Sequence, residues 1–261
     1  MLILMGMDKT FIRNEVRRFV ALRLAQLKRP DSWRAPLAGF CSADDPLFHE
    51  LKKAVSPTHL LPCDLLPSAR TVIAFFIPFG ESVAESNQGG RLASRTWAEL
   101  YVQTNDLIRG LGEHLKSQFG AQGYKTASPP ATHNFDPERL VSDWSHRHVA
   151  YAAGLGTFGI HDFLITENGA AHRIASFVVN LRLRPNRARP EDIHAHCLHY
   201  QGRECMACAR RCPAHAISVA GGHDKEACAE RCKRSVPYVN RRYHIFIYGC
   251  GLCSTGVPCA T

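Results

Sequence analysis

What most constrains this chain is where its cysteines fall: nine of the eleven lie in the last sixty-five residues. Two groups stand out, Cys205-x2-Cys208-x3-Cys212-Pro213 and, further on, Cys250-x2-Cys253-x5-Cys259. Cys228 and Cys232 lie between them, and Cys197 just before them. A thiolate is a soft, strongly donating ligand, and Cys-x2-Cys sets two sulfurs on one tight turn where both reach the same metal centre. Pro213 turns the chain after the third thiol, because its φ is fixed and it has no N–H to donate.

The run ending in Cys-Pro is similar to the bacterial ferredoxin pattern C-x2-C-x2-C-x3-C-P, whose last cysteine crosses over to a second [4Fe–4S] cluster. Gly202 stands where the first ligand of that pattern belongs, and Cys197 is the nearest upstream thiol. Crossover symmetry then pairs Cys197, Cys205, Cys208 and Cys259 on one cluster, and Cys212, Cys228, Cys250 and Cys253 on the other. Eight thiolates suit two clusters. Cys232 follows Cys228 by one helical turn, so either is a candidate ligand. Zinc also uses Cys-x2-Cys pairs, but Cys-x3-Cys-Pro followed by Ala214, Ala216 and Ile217 favours clusters. An odd cysteine count and an opening Met1–Met5 without the marks of a signal peptide argue against a disulfide framework. Cys41 and Cys63 lie outside any ligand spacing and are expected to stay free and buried.

At 261 residues the chain suits one large domain and a small one. Its 45% hydrophobic and 21% charged residues describe a globular protein. The longest apolar run, Val72–Phe79, contains a proline and is too short to span a bilayer. Reduced cysteines without an export signal point to the cytoplasm. The formal charge of +9 falls to roughly +5 once each cluster contributes about −2 with its ligands. Arginine groups at Arg182–Arg189, Arg210–Arg211, Arg231–Arg234 and Arg241–Arg242 read either as solvated surface or as a weak footprint for a polyanion such as tRNA.

Along the chain, Asp8 caps a helix running to about Lys28, with Phe11, Val16, Phe19, Val20, Leu24 and Leu27 at helical spacing. Asp45 caps a short helix through Lys53, and Leu60–Pro67 is an apolar loop. Thr71–Pro78 is a run of β-formers, expected to be a strand buried on both faces. Gly80–Arg95 reads as a surface loop or lid, Trp97–Phe119 as an amphipathic helix, and Gly123–Thr126 as a short strand. Gly154-x-Gly156-x-x-Gly159 formally matches a dinucleotide fingerprint, but it follows a helix instead of a strand, so that context fails. Its glycines are expected to end the helix and let backbone approach a flat ligand. His146 and His148 point to different helix faces and cannot jointly chelate one ion. With Arg147 they are candidates for cofactor contact or proton relay. Asp162–Thr166 and Arg173–Leu183 read as strands joined by a Glu167-Asn168-Gly169 hairpin. Pro185–Pro190 is the domain boundary, dividing residues 1–188 from 189–261.

Ala153-Gly154-Leu155-Gly156-Thr157-Phe158-Gly159, Cys205–Pro213 and Tyr248-Gly249-Cys250-Gly251-Leu252-Cys253 together resemble the epoxyqueuosine reductase family, relatives of the corrinoid-dependent reductive dehalogenases. The resemblance implies an α/β (α+β) protein: a nitroreductase-like cobalamin-binding domain, then a small ferredoxin-like domain with two [4Fe–4S] clusters. It implies an iron–sulfur oxidoreductase passing electrons to a corrinoid or substrate at the domain junction, with a ferredoxin- or flavodoxin-type donor and tRNA or a small electrophile as substrate. Gly154, Leu155, Gly156 and Gly159, with His146, Arg147 and His148, fall at the cofactor. Asp143, with Asp136 as the other candidate, falls at the position of the family's acidic residue. The chain departs from the family in reading Thr157-Phe158-Gly159-Ile160 where tryptophan-x-glycine-lysine is usual. It also lacks the helical-repeat extension that many members carry after the clusters. The other reading of the whole is an electron-transfer or assembly partner with clusters and no cobalamin.

Overall fold

A computed structural model describes residues 7–186 and 189–261; the Met1–Met5 opening and the middle of the Pro185–Pro190 boundary lie outside the described residues. Helix α1 (Lys9–Leu27) starts where the Asp8 carboxylate accepts the Phe11 amide at 2.7 Å, and it ends at Lys28 in the left-handed region. It leads through β1 (Leu37–Ser42), α2 (Leu47–Ala54) and α3 (Pro62–Leu65) to β2 (Thr71–Pro78). Next come α4 (Glu81–Ser86), α5 (Arg95–Ala121), β3 (Thr126–Ala127), α6 (His146–Ala152), β4 (Gly156–Phe158), β5 (Leu164–Thr166) and β6 (His172–Val179). The cysteine-rich segment holds α7 (Ala207–Arg211), β7 (Ile217–Ser218), β8 (Gly222–His223), α8 (Lys225–Tyr243) and a 3-10 turn at Leu252–Ser254.

The main sheet is antiparallel with strand order β1-β2-β6-β3. Every residue of β2 is buried, because helices cover both faces. Val72, Ala74 and Phe76 pack with Phe48 and Leu51 of α2 and Val149 and Ala150 of α6. Ile73 and Phe75 face the other way, onto Ile12 and Val16 of α1 and Leu111 and Leu115 of α5. This two-sided burial explains why the run shows no apolar–polar alternation. A third core joins this layer to the cysteine-rich segment: Ile77, Phe79, Val83, Trp97 and Leu100 pack with Val239 and Ile247.

Several expectations need correction. Leu60–Pro67 is not all loop, since the short helix α3 forms within it at Pro62–Leu65. Gly80–Arg95 is not simply a loop: α4 forms within it because Val83 and Ala84 enter that third core. Glu167-Asn168-Gly169 does turn, with Thr166 bridged to Gly169, but the strands beside it do not pair with each other. β5 pairs with β4, and β6 pairs with β2 and β3. The chain's last segment intervenes: the Ala260 carbonyl accepts the amides of Ala170 and Ala171, at 3.2 and 3.1 Å.

Candidate functional site

The thiols collect in two groups. Cys197, Cys205, Cys208 and Cys259 line one small pocket with Gly159, Ile160, His161 and Ile165. Cys205 and Cys208 lie at the start of α7. The turn before Cys197 is tied to the β4–β5 ribbon: His194 Nδ1 bonds the Phe158 carbonyl, the His196 amide donates to Thr157 Oγ1, and His196 Nδ1 bonds the Ile165 carbonyl. Cys259 is held by the docking of Ala260, and its Sγ lies 3.6 Å from His161 Nε2. Burial, then neighbouring thiols, push Cys259 up to about 12 and Cys208 up to about 11. Buried thiols that oppose one another's ionisation become stable thiolates around a cationic metal centre.

Cys212, Cys228, Cys232, Cys250 and Cys253 form the second group. Cys232 is buried on α8 within hydrogen-bonding reach of both Cys228 and Cys250. Donation from Cys232, then from His223, lowers Cys228, and donation from Cys232 lowers Cys250. Burial, then the charges of Cys250, Cys228 and Cys212, raise Cys253. Cys228 and Cys232 both border this group, so the two candidate ligands stand side by side. The loop carrying Cys250 and Cys253 is braced from the end of α4: Asn87 Nδ2 donates to the Cys250 carbonyl at 3.0 Å. The Arg211 guanidinium ties Leu252, Gln88 and Asn87 carbonyls together at 3.0–3.1 Å.

Arg147 is half-buried beside Cys228 and Cys253 and donates to the Asp162 carbonyl. The Asp162 carboxylate accepts from His223 Nδ1 at 3.0 Å. The bond to Asp162, then that to Cys228, raises His223 to about 9. Sequence reading missed Asp162 and His223, taking Asp162 as strand; it is instead a left-handed turn residue at φ 61°.

Among the described residues no three His, Cys, Asp or Glu side chains converge as a single-ion site requires. Among the described residues four buried side-chain atoms have no partner: Trp97 Nε1, Gln103 Oε1, His172 Nδ1 and Arg231 Nε. Two of them adjoin the second group. Trp97 lies against Gly251, where an added Cβ would sit 2.3 Å from the ring's Cε2, and the Arg231 charge acts on Cys250. Buried N–H groups normally find acceptors, and cluster sulfurs accept hydrogen bonds. The residues present therefore fit a cluster.

The seven residues expected at a cofactor do not share one place. Gly154, at φ 70°, and Leu155 open onto a cleft of about 810 Å³, with Lys9, Arg13, Arg17, Thr166, Glu167 and His196 on its walls. His196 is next in sequence to Cys197, and Thr166 is next to Ile165, so the cleft adjoins the first thiol group. Gly156 faces the Ile165 carbonyl and Gly159 faces the His161 ring, each too closely for a Cβ. His146 is buried in the core, bonded to Ser176 Oγ at 2.8 Å and the Pro130 carbonyl at 3.0 Å. His148 bonds Ser145 Oγ at 2.7 Å and packs on Phe158. Burial pushes His146 down to about 4 and His148 down to about 3. Asp143 accepts from His133 Nδ1 at 2.5 Å and from Asn134 Nδ2 at 2.8 Å; Asp136 caps the exposed turn at Glu138 and Arg139. Cys41 is buried as expected, whereas Cys63 is exposed.

This architecture has relatives among solved structures. Epoxyqueuosine reductase from Streptococcus thermophilus superposes with a TM-score of 0.56 at 16% identity, over 92% of this chain and 66% of that one. A catabolic reductive dehalogenase in complex with 3-bromo-4-hydroxybenzoic acid superposes at 0.54 and 18% identity, over 83% of this chain and 28% of that one. The chain has the epoxyqueuosine reductase and reductive dehalogenase fold. In sequence, 118 residues are 34% identical to the tetrachloroethene reductive dehalogenase of Desulfitobacterium hafniense, over 43% of this chain and 20% of that protein. The enzyme of Dehalobacter restrictus matches to the same extent. The matched region is thus about a fifth of the length of these relatives. No family model matches the chain. No helix among the described residues is long and apolar enough to cross a membrane.

Proposed function

We propose that this protein is an iron–sulfur reductase whose two [4Fe–4S] clusters feed electrons to a corrinoid or an electrophilic substrate in the cleft at Gly154–Leu155. The observation that carries this reading is the adjacency of that cleft to the first thiol group through His196–Cys197 and Ile165–Thr166. In this reading Cys197, Cys205, Cys208 and Cys259 hold one cluster. Cys212, Cys250 and Cys253, with Cys228 or Cys232, hold the other. When bound, the clusters supply one-electron transfer and a corrinoid supplies a nucleophilic metal.

The chain's own groups orient and balance charge. Gly154 leaves the cleft wall without a side chain, so backbone meets a flat ligand directly. Lys9, Arg13 and Arg17 recur every fourth residue of α1 and favour an anionic ligand. Half-buried Arg147 offsets thiolate charge at the second group. Asp143, at the position of the family's acidic residue, is held by His133 Nδ1 and Asn134 Nδ2 outside the lining of this cleft. A related epoxyqueuosine reductase is known with an epoxyqueuosine-modified tRNA stem loop; with +9 formal charge, modified tRNA is the first macromolecular substrate to try here, with a ferredoxin- or flavodoxin-type protein as electron donor. The deciding experiment incubates the anaerobic, cluster-loaded protein with cobalamin, desalts it and records the visible spectrum. A stoichiometric corrin spectrum surviving the column supports the corrinoid reductase. Cluster absorption alone would make the protein an electron-transfer or assembly partner.

A further inference from the structure

Resting on the cluster reading above, we infer that the indole N–H of Trp97 donates a hydrogen bond to a sulfur of the cluster held by Cys250 and Cys253, and so raises that cluster's reduction potential. Trp97 lies in the first turns of α5 and is 3% exposed. Its position is set from several sides. Its backbone amide is capped by Ser94 Oγ at 3.0 Å, and Phe79 meets its ring edge-on at 4.8 Å between centroids. Against its Cε2–Cζ2 edge lies Gly251, in the left-handed region at φ 66°, where an added Cβ would fall 2.3 and 2.0 Å from those two atoms. Cε2 is bonded to Nε1, so the donor lies at the Cys250–Cys253 loop.

The molecule's other two tryptophans show what an indole does here when protein supplies an acceptor. Trp33 Nε1 donates to Thr104 Oγ1 and Trp144 Nε1 to Ser176 Oγ, each at 2.8 Å. Trp97 Nε1 alone of the three has no acceptor. Leaving such a donor buried and unpaired is costly, and an anionic cluster sulfur removes that cost. Because reduction adds negative charge, a fixed donor favours the reduced state, and the potential rises. Arg231 Nε, also unpaired and beside Cys250, acts in the same sense. Both donors shift the second cluster's potential in the same direction.

The test uses the full chain, reconstituted and grown with tryptophan labelled with ¹⁵N at the indole nitrogen. Pulsed EPR of the reduced protein is expected to show one ¹⁵N coupling on one of its two cluster signals, and the coupling disappears in W97F. A redox titration of W97F is expected to show one midpoint lowered, by about a tenfold change in the reduction equilibrium or ~59 mV for one electron, with the other midpoint unmoved. R231M, which keeps the tryptophan, shifts the same midpoint downward and keeps the ¹⁵N coupling. Loaded wild-type protein with two reduced clusters and no ¹⁵N coupling overturns the assignment of Trp97 while leaving the clusters standing. Protein that takes up no iron and sulfide overturns the cluster reading itself.

Discussion

Ser176, on β6, serves two buried partners through one hydroxyl: Trp144 Nε1 and His146 Nδ1, each at 2.8 Å. S176A strands both, and chemical denaturation is expected to show a loss of about 2–4 kcal/mol. Four histidines, three of them buried and His148 half-buried, carry a pH signature of their own. Burial holds His146 and His161 near 4 and His148 and His172 near 3, against an ordinary value of 6.5. A histidine depressed in the folded state binds its proton more readily unfolded, so its stabilising share is whole above about pH 6.5 and is lost as pH falls towards 4 and 3. Denaturation midpoints of the metal-free protein are therefore expected to fall steeply below pH 6.5, and a flat profile from pH 7 to 4.5 would count against this account. At this scale the glycine motif was legible because backbone needs announce themselves at fixed spacing. Trp97, Asp162 and His223 were not, because their partners are distant in sequence: Gly251 for Trp97, Arg147 and His223 for Asp162.

Among the elements, β2 and α1 were read correctly because each signal is local: an unbroken run of β-formers in one and an Asp8 cap ahead of 3.6-residue periodicity in the other. The hairpin at Glu167–Gly169 was misread because the Asn-Gly signal is also local, and only the distant Ala260 decides where the chain goes after the turn. Gly169 sits at φ 79°, and its Cβ would fall 2.4 Å from the Ala260 carbonyl oxygen. G169A is expected to push that segment away, and with it Cys259, so that iron content drops by about half. Helix α8 offers a sharper comparison. Cys232 is buried between Cys228 and Cys250, whereas Cys228 also faces His223. Of C228A and C232A, the variant that removes a true ligand loses the second cluster's EPR signal and the other keeps it. If both variants keep it, neither cysteine is a ligand.

At the scale of the molecule, the cysteine spacing predicts two groups of thiols, and the structure collects the thiols into two neighbourhoods. Only the structure shows that the cleft by Gly154 reaches the first of them, since α1, β1, the glycine turn and His196 meet there from four separate stretches of chain. The third core, from Ile77 through Trp97 to Val239 and Ile247, joins the two halves of the chain. K9E/R17E, on the exposed side of the cleft, is expected to weaken binding of an anionic ligand there about tenfold or more while leaving cluster content unchanged. The measurement that reaches the account's centre most directly is iron, acid-labile sulfide and zinc in the anaerobically purified chain. Two clusters predict about eight iron and eight sulfide per chain, with negligible zinc. One or two zinc ions without sulfide would contradict the account, and the reductase reading with it.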